Sequence, residues 1–156
     1  MASIESFIKG MINEVENVTF DISSKVSDIP EKYIPCLQES LKYLNSAMMT
    51  ARASRILYKL EQNNGKQKIM VSHNGDKISY RNLTDINALL KKISSGEINI
   101  NKWNNVNDGN FKEYNYLIAA QKLNKYRGKM IIKKLNNGEY SMKTYIEIPV
   151  DDRFNS

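Results

Sequence analysis

From Ser3 onward, apolar residues return at intervals of three and four: Ile4, Phe7, Ile8, Met11, Ile12, Val15, Val18 and Ile22. That period places them on one face of an amphipathic helix. Ser3 is positioned to cap it, and Glu5 lies in its first turn, where a negative charge meets the helix dipole. Asp28-Ile29-Pro30 breaks the pattern, because proline has no amide hydrogen to give and pushes its predecessor out of the helical region. The spacing resumes at Ile34, Leu37, Leu41, Leu44, Met48, Ala51, Arg55 and Tyr58, which predicts a second helix from about Glu31 to Gln62, closed by Asn63-Asn64-Gly65. At 1.5 Å per residue that helix is roughly 40 Å long, more than a small domain covers on one side. A helical hairpin pairing with a second copy into a homodimeric four-helix bundle is the expected way to bury the surplus.

After Gly65 the pattern shortens. Lys68 to Ser72 and Lys77 to Tyr80 alternate around Asn74-Gly75, which predicts a tight hairpin. A helix follows from about Asn82 to Ser94, with Ile86, Leu89, Leu90 and Ile93 inward and Gly96 as its stop. Glu97 to Trp103 alternates as a strand, and Asn104 to Asn110 is a polar loop. Phe111 to Tyr126 is predicted as a helix burying Leu117, Ile118 and Leu123, closed by Gly128. Lys129 to Leu135 and Tyr140 to Ile148 form a second hairpin around Asn137-Gly138. The predicted fold is therefore α+β: a long helical hairpin over 1–64, a small α/β sandwich over 65–150, and a polar tail over 151–156.

A length of 156 residues suffices for one real core, and 41% hydrophobic against 26% charged residues excludes a disordered composition. No run approaches the ~20 apolar residues of a membrane span, and the first residues lack the basic start and apolar stretch of a signal peptide, so a cytoplasmic protein without membrane contact is expected. Charge is uneven. Residues 1–50 hold four Lys against seven Asp and Glu, a net of −3, so the remainder carries +9 to give the overall +6. A basic second half raises nucleic acid as a partner, but its lysines are spread along strands and helix faces in the sequence, which weighs against it.

Candidate chemistry is sparse. The lone Cys36 has no second thiol with which to form a disulfide or share a metal, and is expected as a small core residue. His73, the sole histidine, falls beside Asn74-Gly75 and is expected as an exposed turn residue. Asp151 and Asp152 are neighbouring carboxylates in a tail, without the surrounding pocket that acid-base roles require. Neither G-x-x-x-x-G-K nor G-x-G-x-x-G occurs. No metal site and no cofactor are expected.

A helical hairpin that dimerises, followed by a smaller α+β unit, is the plan of histidine kinases. Three runs carry a closer likeness: Ala51-Arg-Ala-Ser-Arg-Ile-Leu-Tyr-Lys-Leu60, the stretch from Leu83 to Trp103, and Asn115-Tyr-Leu-Ile-Ala-Ala-Gln-Lys-Leu123 followed by Gly128 and a strand. In these the sequence resembles the bacterial histidine phosphotransferases of cell-cycle phosphorelays, whose second domain is a degenerate kinase ATPase fold. The resemblance implies that the first helix presents a His-Asp pair as phosphoryl acceptor, and it lays Met11-Ile12-Asn13-Glu14-Val15 on that segment. Asn13 then occupies the acceptor position and Glu14 the acidic one. An amide nitrogen, its lone pair delocalised into the carbonyl, is no nucleophile, whereas neutral imidazole is. A slip in register supplies no substitute, since residues 1–72 contain no histidine. Asn115 resembles the start of the family's asparagine-bearing helix, but the D-x-G-x-G and glycine-rich segments that hold a nucleotide are missing after Trp103, and Asp108-Gly109-Asn110 alone is a turn.

The leading expectation is a phosphotransferase-like homodimer, inactive in transfer, that docks the receiver domain of a response regulator or hybrid histidine kinase. The docking face is the polar side of the first helix, with Lys9, Asn13, Glu14, Glu16 and Asn17 at its centre. Two alternatives come from other classes: a basic nucleic-acid-binding domain using the lysines of 122–143 with Tyr126, Tyr140 and Tyr145, and a purely structural dimerisation module.

Overall fold

A computed structural model describes residues 31–63, 65–100, 113–136 and 138–149, together with Gly10. A single turn of 3-10 helix, Glu31–Tyr33, leads into α1, Ile34–Thr50, with Pro35 in the first turn where its missing N–H has no helical partner to lose. β1 (Ile56–Asn63) and β2 (Lys66–His73) follow, then α2 (Tyr80–Ser95), α3 (Tyr114–Leu123) with a 3-10 turn at Asn124–Tyr126, and the strands β3 (Lys129–Lys134) and β4 (Met142–Pro149). The four strands form one antiparallel sheet in the order β1-β2-β4-β3.

The sheet has an inner and an outer face, as strand alternation requires. Ile56, Tyr58 and Leu60 of β1, Ile69 and Val71 of β2, Met130 and Ile132 of β3, and Met142, Thr144, Ile146 and Ile148 of β4 are buried on the inner face. The helices cover that face: α1 packs against α3, α3 against α2, and α2 against β3. Leu37, Leu41, Leu44 and Met48 of α1 are fully enclosed, as are Ile86 and Ile93 of α2 and Leu117 and Leu123 of α3. Burying a side chain of this size contributes about 1.5 to 3 kcal/mol. Where α1 and α3 cross, small residues let the backbones approach, and the buried Ser40 hydroxyl donates to the Ala119 carbonyl at 2.8 Å.

The second helix stops twelve residues short of its predicted end at Gln62. Ala51 N–H still reaches the Ala47 carbonyl, but Arg52 adopts a φ of +62° and Ala53 N–H folds back to the Met48 carbonyl at 3.0 Å. Beyond this point the period is two, with Ile56, Tyr58 and Leu60 inward and Lys59 and Glu61 outward, and the chain runs as an edge strand. The expected stripe there contained Ala51 and Arg55, a small and a charged residue that gave a helix little to bury. The surplus length that called for a four-helix bundle is therefore absent from 31–62. The long helical hairpin is not found among the described residues, and the first helix and its turn lie outside them. The expected division at residue 64 falls between two paired strands, and α1 and β1 pack into the same layered unit as the residues that follow.

The first predicted hairpin also forms elsewhere. Strand β1 pairs with β2, which starts just after Gly65 with its φ of +74°, and β2 then pairs with β4 instead of with residues 77–80. Residues 76–79 lead into α2, whose first turn is capped by the Ser79 hydroxyl accepting from Asn82 N–H at 3.2 Å. Residues 97–100 form no strand pairing, and the Ile100 amide donates to the Gln121 side chain at 3.0 Å. The helix and hairpin predicted for the C-terminal part are present as α3, β3 and β4. No helix among the described residues is long and apolar enough to cross a membrane.

Candidate functional site

The C-terminal end of α1, the segment 73–79 after β2, and the start of α3 converge beside a cleft of about 320 Å³. Thr50, Ala51, Asp76, Lys77, Asn82 and Glu113 are among its lining residues. The segment is fastened on both sides. Asn74 Oδ1 accepts from Ser54 N–H at 2.8 Å and Arg55 N–H at 2.9 Å, while its Nδ2 donates to the Ser54 hydroxyl. Asp76 N–H donates to the Ala51 carbonyl at 2.7 Å, and the Arg52 guanidinium meets the Asp76 carboxylate through two parallel hydrogen bonds of 3.1 and 3.0 Å. From the β4 side the Ser141 hydroxyl donates to the carbonyls of His73 and Gly75. Gly75 is required here for space: a Cβ would stand 2.4 Å from the Ala51 carbonyl oxygen.

His73 is the largest departure from expectation. It ends strand β2 on the inner face, only 1% exposed, and is not a turn residue. Its Nδ1 accepts from Gly75 N–H at 2.9 Å, and its buried Nε2 has no hydrogen-bond partner. Burial pushes its pKa down to about 4, against a smaller opposing pull from Asp76. A neutral ring whose Nδ1 accepts carries its proton on Nε2. The one lone pair that could attack a phosphorus atom or take a proton is therefore committed to the backbone.

The cleft itself combines carboxylates, an ammonium group and short polar side chains with the aromatic wall of Tyr116, whose hydroxyl is pushed up by burial and then by Glu113. Cys36 is half-buried against the core, with its thiol directed to the Tyr33 carbonyl and its pKa raised by burial. No cluster of three or more metal-ligating side chains occurs among the described residues.

Lys9, Asn13, Glu14, Glu16 and Asn17 all lie outside the described residues, as do Asp151, Asp152 and the 108–110 turn. Asn115 stands in the first turn of α3 as expected. Sequence reasoning missed the junction of Arg52, Asn74, Asp76 and Ser141. Its one visible signal was the short polar-glycine run His73-Asn-Gly-Asp76, which reads equally well as a turn.

No protein-family model and no curated protein sequence matches the chain. Solved structures do. The catalytic domain of histidine kinase ThkA, in a nucleotide-free form, superposes with a TM-score of 0.62 over 97% of this chain and 95% of that one, at 16% identity. A mycobacterial sensor histidine kinase, MprB, gives a TM-score of 0.58 over 95% and 92%, at 12% identity. Full-length ShkA in complex with AMPPNP gives 0.63 over 96% of this chain but only 30% of that protein, at 11% identity. The fold is thus that of histidine-kinase catalytic domains.

Proposed function

We propose that this chain is a cytoplasmic protein of two-component phosphorelay signalling that docks the receiver domain of a response regulator or hybrid histidine kinase, as a homodimer, and does not carry phosphoryl groups itself. The observation that supports the reading is a histidine-kinase catalytic fold spanning 97% of a chain whose sole histidine is buried. A phosphoryl carrier must present an imidazole lone pair to its donor, and residues 1–72 supply no histidine at all. In this reading Lys9, Asn13, Glu14, Glu16 and Asn17 form the docking face, and Asn13 stands where an acceptor histidine would.

Mixing radiolabelled, phosphorylated receiver domains with the chain and with Asn13→His tests both halves. Calorimetry is expected to show a receiver binding either protein, with label staying on the receiver beside the unmodified chain and moving to the Asn13→His variant. Acid-labile label on the unmodified chain overturns the inactive reading, and failure of every receiver to bind overturns the docking.

A further inference from the structure

The face of the sheet turned away from the helices gathers lysines that the sequence scatters. Lys59 of β1, Lys66 and Lys68 of β2, Lys143 of β4, and Lys129 and Lys133 of β3 all alternate outward, against Glu61 and Glu147. Glu147 is already paired with Lys66 at 3.1 Å. At the centre, register places Met70, Tyr145 and Ile131 side by side on three adjacent strands, and Ile131 remains 45% exposed. The Nζ atoms of Lys143 and Lys133 stand 5.1 and 5.3 Å from the centre of the Tyr145 ring. Past Ile131 the surface continues over the β3 edge into a groove of about 530 Å³, where Lys91 and Ser94 of α2 face Lys129 and Tyr145.

We propose that this outer sheet face binds single-stranded nucleic acid, with Tyr145 as the stacking platform and the surrounding lysines on the phosphates. An acidic protein surface would account for the lysines. It would leave unexplained a half-buried ring set between two apolar neighbours, beside a groove with room for a base. Bases stack on such rings with little regard to sequence, and the backbone then lies along a basic track. Tyr126, another candidate for this role, packs edge-on against Tyr33 at 4.8 Å. Lys122 is held between Glu39 and Tyr43 on the helical layer.

Fluorescence anisotropy of a labelled 12-nucleotide oligothymidylate with the full chain tests the inference. Binding is expected at low salt, and Tyr145→Ala is expected to weaken it about tenfold, within the range of one base-aromatic stack, while Tyr145→Phe retains it. Lys133→Ala with Lys143→Ala is expected to flatten the slope of log K against log salt by about 1.4, the value for two phosphate contacts on a single strand. Lys42→Ala, on the outer side of α1, is expected to leave affinity unchanged. No binding at low salt overturns the proposal. So does binding that Tyr145→Ala leaves intact and that polyglutamate displaces at equal charge, which would mark a surface for acidic protein.

Discussion

At the scale of single residues, His73 shows how burial reverses a reading. An imidazole next to Asn-Gly is ordinarily a solvated turn residue; here the glycine serves a close approach to the Ala51 carbonyl, and the histidine closes a strand inside the core. Nothing in the sequence separates a glycine kept for a turn from one kept for space, so the position of His73 was not legible. The consequence is measurable. With a folded pKa of about 4 against an ordinary 6.5, the unfolded chain binds a proton between those values that the folded chain refuses. The stability from the neutral, desolvated ring is therefore complete above about pH 6.5 and is lost as pH falls toward 4. At about 1.4 kcal/mol per pH unit, His73 makes the protein about 2 to 3 kcal/mol less stable at pH 4.5 than at pH 7. His73→Gln keeps an acceptor for Gly75 N–H and removes the titration. Urea unfolding at the two pH values is expected to show the gap shrinking by about 2 kcal/mol in the variant, and an unchanged gap would mean that the folded state protonates His73 freely.

At the scale of elements, the second half of the chain was largely readable. α2, α3, β3 and β4 each carry a clean period, and the two helices stop at Gly96 and Asn124. The first half misled because positions 51–60 satisfy both periods: Ala51, Arg55 and Tyr58 fit a helix, while Ile56, Tyr58 and Leu60 fit a strand. Pairing with β2, a contact invisible to local pattern, decided for the strand. The other edge of the sheet has its own device. The Asn87 side chain donates to the Ile132 carbonyl at 2.8 Å and accepts from Ile132 N–H at 2.9 Å, occupying the outward backbone groups of β3 as a further strand would. An open edge invites pairing between molecules. Asn87→Ala is expected to cost about 1 to 2 kcal/mol, the range for partly buried polar groups left without partners, with a lower urea midpoint at unchanged slope. Dynamic light scattering at high concentration is expected to reveal association beyond the dimer that the unmodified chain does not show. A variant as stable and dispersed as the original would show that water satisfies the edge equally well.

At the scale of the whole molecule, the mixed α and β class and the likeness to a histidine-kinase catalytic fold were legible, while the long helix that was to drive dimerisation was not there to be read. Oligomerisation was inferred from a helix too long to cover, and α1 is only 17 residues, roughly 25 Å, with Leu37, Leu41, Leu44 and Met48 fully enclosed by its own chain. What remains of the argument rests on the apolar stripe from Ile4 to Ile22, whose eight residues at helical spacing need a partner surface. The dimer is therefore expected to depend on that stripe alone. Light scattering of the full chain is expected to give about twice the 18.0 kDa monomer mass. Ile8→Asp with Val15→Asp is expected to halve that mass while the far-ultraviolet spectrum and the cooperative unfolding of the sheet persist. Leu44→Asp, by contrast, places a charge inside the core and is expected to abolish cooperative unfolding instead of releasing a folded monomer. A monomeric unmodified chain at micromolar concentration would remove the dimer from the account and leave receiver docking, where it occurs, to a single copy.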